Sequence, residues 1–153
     1  MYSAGILNLR PTNAMHQLGV SSPVPLFNLK HVLGGLPAGS LLWVPSIPHP
    51  ACLPGILRAA SHLACPVGLA LAPAVAESDV LKSSKPAALF HQAVAASQAL
   101  GRPVPFCLHA QAPAVDGRDG MAFDAVRSFL GECLQLGYTS FGLDLGGCAA
   151  EDM

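Results

Sequence analysis

A chain of 153 residues that is 52% hydrophobic and only 11% charged, with formal net charge −1, has enough apolar material for one core but far less charge than the roughly 25% of an ordinary soluble domain. With no basic run and no interleaving of aromatic and basic side chains, the composition excludes a nucleic-acid binder. No apolar run of about 18 residues escapes helix breakers, which excludes a membrane-spanning helix; the nearest, Leu41 to Leu57, is interrupted by Pro45, Pro48, Pro50 and Pro54. So little charge also leaves too few polar side chains to cover a monomer, and implies a surface intended for a partner.

Met1 to Ser22 shows no clear period and lacks the basic and apolar regions of a signal peptide. It reads as an N-terminal arm or extension, ordered by contact with something else, ahead of a domain over residues 23–153. From Pro23, apolar Leu26, Leu29, Val32 and Leu33 fall near helical spacing, and a short helix is expected to end near Gly34 and Gly35. LLWVPSI (Leu41 to Ile47) is the first strand candidate, with Trp43 in its core. It is followed by a helix whose apolar face is Leu53, Ile56, Leu57, Ala60 and Leu63.

PVGLALAP (Pro66 to Pro73) is nearly continuous in apolar residues, as a strand covered on both faces should be. A polar connection leads to the helix PAALFHQAVAASQALG, closed by Gly101, and then to the third strand, VPFCLHAQ. A Gly and Asp loop precedes AFDAVRSFLGECLQLG, where Phe123, Val126, Phe129, Leu130, Cys133 and Leu134 form a face. The fourth strand is TSFGLDLG, and GCAAEDM opens a further helix. Strands alternating with helices predict an α/β fold of parallel βα units joined by right-handed crossovers. The five cysteines, Cys52, Cys65, Cys107, Cys133 and Cys148, form no CxxC pair, lie in apolar stretches and are expected to be free thiols in a reducing cytoplasm.

Several phrases together resemble the N-terminal half of class II, metal-dependent ketose-bisphosphate aldolases. PLFNLKHVL (Pro25 to Leu33) matches their opening helix, CPVGLA (Cys65 to Ala70) a strand phrase like SPVILQ, VPFCLHAQAP (Val104 to Pro113) the motif VPVALHLDHG, and LGYTSFGLDLGG (Leu136 to Gly147) followed by EDM a phrase like AGFTSVMIDGS followed by EENI. The resemblance implies half of a TIM (β/α)8 barrel, whose full form takes roughly 250 residues and gathers its chemistry at the C-terminal ends of the strands. It also marks a departure. The family's proton-transfer Asp and metal-ligand His fall at Gln111 and Ala112, which offer neither a titratable proton nor a metal lone pair.

Polar residues remain at the expected strand ends. His109 and Asp144 are candidate acid-base residues, and with His49 they make a candidate metal set; three ligands suffice for an open catalytic site. The plainer alternatives are that Asp144 caps a turn, His109 bonds to backbone and His49 lies in a proline-rich loop. Gly146 and Gly147 offer amides to a phosphate or form a plain turn. His62 and His91 read as ordinary helix residues, and Cys107, on the same face as His109, as either a thiolate nucleophile or an inert buried thiol.

Two functions are therefore expected to compete. One is an aldolase-like protein, non-catalytic on its own and without a cofactor, which works as a homo-oligomer or complementary subunit. The other is a lyase acting on a sugar phosphate with a divalent metal such as zinc, its site completed by a second copy or partner. The open inner face of a half-barrel would be covered by a copy or a second polypeptide, or avoided by flattening into an open layer.

Overall fold

The computed structural model describes residues 4–71, 86–112 and 120–144. Its helices are α1 (Ala4–Leu7), α2 (Thr12–Leu18), α3 (Leu29–Gly34), α4 (Leu53–Leu63), α5 (Pro86–Gln98) and α6 (Gly120–Gln135). Its strands, β1 (Ser46–Ile47), β2 (Val67–Leu71), β3 (Phe106–Gln111) and β4 (Ser140–Gly142), form one sheet in the order β1-β2-β3-β4. Every neighbouring pair is parallel. Parallel neighbours cannot be joined by a tight hairpin and need a crossover; α4, α5 and α6 occupy the three connections in turn. The expected mixed fold with a parallel sheet and alternating helices is present.

Strand alternation divides the sheet into two unlike faces. Val67, Leu69 and Leu71 of β2 and Phe106, Leu108 and Ala110 of β3 share one core with Ile47, with Leu53, Leu57 and Ala60 of α4, and with Leu89, Phe90, Ala93 and Ala96 of α5. Tyr138 closes this core before β4. Its ring is fully buried, and its hydroxyl donates to the Pro86 carbonyl at 3.0 Å. Burial pushes the Tyr138 phenol above its ordinary value and the Cys133 thiol up to about 12.

The expected boundaries contract at the edges. The Leu41 to Ile47 strand pairs regularly only over Ser46–Ile47, although the Trp43 and Pro45 carbonyls accept from the Gly68 and Ala70 amides at 2.9 and 3.0 Å. Pro45 has no N–H to return a bond, so the ladder cannot start before it. Trp43, expected in the core, is 60% exposed because the chain reaches it at the outer edge of the sheet. Leu63, Phe123 and Leu134 are also exposed, at 72%, 45% and 49%, so the buried helix faces are narrower than the apolar pattern suggested.

The N-terminal segment differs from an arm that waits for another molecule. Over its described residues it folds onto the same chain. Arg10 is buried and donates to the carbonyls of Leu7, Val20 and Ser22 at 2.8, 2.8 and 2.9 Å, which satisfies its guanidinium without a carboxylate. Ala14 is fully buried against the main core, and Asn13 and Gln17 bond the Leu134 and Gln135 carbonyls at the end of α6. Gly137 has φ +90, and a Cβ there would lie 2.9 Å from that of Ala14, so the α6 exit needs glycine both for its backbone and for the approach of α2.

The thiols also divide. Cys107 and Cys133 are buried, but Cys52 and Cys65 are exposed rather than packed; all four are free, and Cys148 lies outside the described residues. No helix among the described residues is long and apolar enough to cross a membrane.

Candidate functional site

The face of the sheet away from α4 and α5 carries the chemistry. Register places Ser46, Ala70, His109 and Ser140 side by side in one row across all four strands. Cys107 precedes this row on β3 and Gln111 follows it, both on the same face by alternation. Together with Leu29 and Val44 these side chains line a cavity of about 480 Å3. From β2 the lining takes Ala70 and Leu71. A Cβ at position 68 would come within 2.7 Å of Val44, so the glycine allows β1 to approach.

One end of this face is closed by α3. Asn28 caps that helix through its side-chain oxygen, which accepts from the His31 amide at 2.8 Å, and His31 Nδ1 donates to the Leu9 carbonyl at 3.0 Å. Phe27 and Val32 then pack on Cys107, with Leu29 and Leu42 beside them. The resulting desolvation pushes the Cys107 thiol up to about 11, so it stays protonated at neutral pH and is a poor nucleophile.

His109 and Ser140 form the centre of the row. His109 Nδ1 and Ser140 Oγ share a hydrogen bond of 2.9 Å, both side chains being half-buried. The Gln111 carboxamide lies across Gly142, where any Cβ would collide with its oxygen. Gln111 thus takes the room that glycine leaves, and presents an amide where an acid would be needed for proton transfer. Ala112, at the place of the metal-ligand histidine in the resembling motif, is buried against Val126 on the α6 side instead of facing the cavity.

The other expected site residues are elsewhere. His49 is exposed and caps the 3-10 turn Pro50–Cys52, its Nδ1 accepting from the Ala51 amide at 3.1 Å. Asp144 is exposed, past the end of β4. Among the described residues no three His, Cys, Asp or Glu side chains form a group able to hold a metal ion. His49, His109 and Asp144 therefore do not converge, and the donors present do not fit the zinc-like site that the resemblance brings to mind. The physical reason is that β1 ends at Ile47, before the turn that carries His49, while Asp144 follows a strand that ends at Gly142. His62 and His91 are exposed on α4 and α5, and Gly146 and Gly147 lie outside the described residues.

Ser46 and Ser140 were not singled out from the sequence. Alternation alone puts every second residue of a strand on one face, but only the register puts Ser140 beside His109. The arrangement supplies a row of hydrogen-bonding groups, one of them an imidazole, in a largely apolar trough. No family model, curated protein or solved structure matches the chain.

Proposed function

We propose that the chain is an aldolase-like half-barrel that is non-catalytic on its own and works by assembly, its open sheet face covered by a second copy or a complementary subunit in a reducing cytoplasm. The observation that carries this reading is the contrast at the sheet. One face is sealed by helices, while the other is a trough whose β1 border exposes Leu41, Trp43 and Val44. Large apolar side chains grouped at a sheet edge mark an interaction surface more often than an idle one. The order of four parallel strands, each pair linked through a helix, and the motif phrases support the barrel half of the proposal. Gln111 and Ala112 support the absence of independent catalysis.

Light scattering on a sizing column, with metal analysis of the same peak, tests the proposal. A metal-free dimer or larger assembly is expected, and a stable metal-free monomer would overturn it.

A lyase acting on a sugar phosphate is the second reading, favoured by the His109–Ser140 pair within the cavity. In that case a partner must contribute metal ligands, because the donors of this chain do not converge. Divalent metal bound in proportion to protein in the assembled species would favour it over the first reading.

A further inference from the structure

Among the described residues, the two outer edges of the sheet carry apolar features of opposite shape. Beside β1, the extended segment before Ser46 forms a ridge in which Leu41 and Trp43 are 95% and 60% exposed. Beyond β4, Phe123, Leu130 and Leu134 of α6 combine with Leu143 to border a groove of about 460 Å3. Phe123, Leu134 and Leu143 are each about half exposed there. We propose that the ridge of one copy seats in the groove of a second copy, with β1 of one running parallel beside β4 of the other. This deepens the assembly reading above and rests on it.

Three observations select a second copy as the occupant. The first is backbone complementarity. The Trp43 and Pro45 carbonyls are used by β2, so alternation turns the amide and carbonyl of Val44 and Ser46 to the outer edge. At the other edge the Gly142 carbonyl is used by Ala112, which turns the groups of Phe141 and Leu143 outward. An occupant must therefore bring both a strand edge and an apolar ridge or groove, and this chain carries one of each.

The second is direction. All four strands run the same way, so rotation about an axis along them brings β1 of one copy beside β4 of the next without reversing either. Such a joint is heterologous, and a two-fold axis parallel to the strands closes it into a dimer with two equal joints. Eight strands is also the number at which inward side chains just fill a barrel.

The third is charge. Neither surface opposes a copy of itself, because the formal net charge is only −1 and Arg127, the charged residue bordering the groove, is paired with Asp124 at 3.7 Å within the same helix. Among the described residues that border these surfaces, apolar fit with edge hydrogen bonds carries the contact.

Two exposed substitutions test the joint. Trp43→Asp places a carboxylate on the ridge and Leu143→Asp places one in the groove, and circular dichroism checks that each variant folds. The wild-type chain is expected to run as a dimer, and each variant as a monomer, its dissociation constant raised on the order of 100-fold or more. Mixing the two monomeric variants should restore a dimer, since one joint then pairs an intact ridge with an intact groove. A wild-type dimer that both substitutions leave intact overturns this joint while the assembly reading stands. A wild-type monomer overturns both.

Discussion

The two faces of the sheet are built from the same two central strands and are opposite in character. On the α4 and α5 side, Val67, Leu69, Leu71, Phe106, Leu108 and Ala110 are each 1% exposed or less and interlock with helix side chains. On the other side the same strands present Gly68, Ala70, Cys107, His109 and Gln111, small or polar groups with a cavity above them. Cohesion resides in the first face, where each large side chain leaves water completely. The second face contributes little to it and is free to carry polar groups that a packed core would reject.

The largest expected effect lies on the sealed face. Leu108→Ala removes a fully buried side chain from the main core and should destabilise the fold by about 2–5 kcal/mol, measured by urea denaturation. Trp43→Ala, at the β1 edge, should cost the isolated chain much less. If the two variants unfold at the same urea concentration, the division into a cohesive and a free face is wrong.

Alkaline pH sharpens the contrast through buried acids on both faces. Cys107 under α3 is raised from 9.0 to about 11, and Cys133, in the helix-side core, from 9.0 to about 12. For each, the unfolded thiol ionises first. The stabilising contribution is therefore complete below pH 9 and is lost as pH rises through the folded value, amounting to about 2–3 kcal/mol for Cys107 and more for Cys133. Cys107→Ala should flatten the fall in stability between pH 9 and 11 without abolishing it, since Cys133 and Tyr138 titrate in the same sense. An unchanged slope would mean that α3 does not keep water from Cys107.

How much of this was legible in the sequence depends on where each residue stands. The centre of the sheet could be read directly, since PVGLALAP is nearly continuous in apolar residues and VPFCLHAQ is broken only by His109 and Gln111, which alternation turns to the same face. The edges could not, because the same apolar letters serve a ridge as well as a core; Trp43 is the plainest example, 60% exposed at the outer edge of the described sheet. The N-terminal segment hid for another reason. Its helices are too short to show a period, and they are held by Arg10 reaching three carbonyls, a contact with no sequence signature. The site was half visible. His109 and Gln111 follow from alternation on β3, whereas Ser46 and Ser140 depend on register. His49 and Asp144 were grouped with His109 by their position near strand ends, which does not ensure that side chains meet.

A glycine on the open face provides a prediction of intermediate size. A Cβ at Gly68 would lie 2.7 Å and 2.9 Å from the two Val44 methyls, so Gly68→Ala should cost about 1–3 kcal/mol by pushing β1 away from β2. Trimming the obstacle tests the cause. Gly68→Ala combined with Val44→Ala should cost less than the sum of the single changes, a coupling read from a double-mutant cycle. Strict additivity would place the strain elsewhere in β2.

The smallest effect is expected at the centre of the candidate site. Ser140→Ala deletes the hydroxyl that bonds His109 Nδ1 at 2.9 Å, but both side chains are half-buried, so water can replace the lost partner. A cost near 0.5–1 kcal/mol is expected, below that of Leu108→Ala or Gly68→Ala. Stability alone would miss what the pair does. If Ser140 fixes the imidazole, its loss should redistribute the proton between the two ring nitrogens, visible in the 15N shifts of His109 even where the denaturation curve barely moves. A variant with unchanged ring shifts would show that the imidazole is held by the trough walls alone. A loss above 2 kcal/mol would show that this row contributes to cohesion, against the division between the faces.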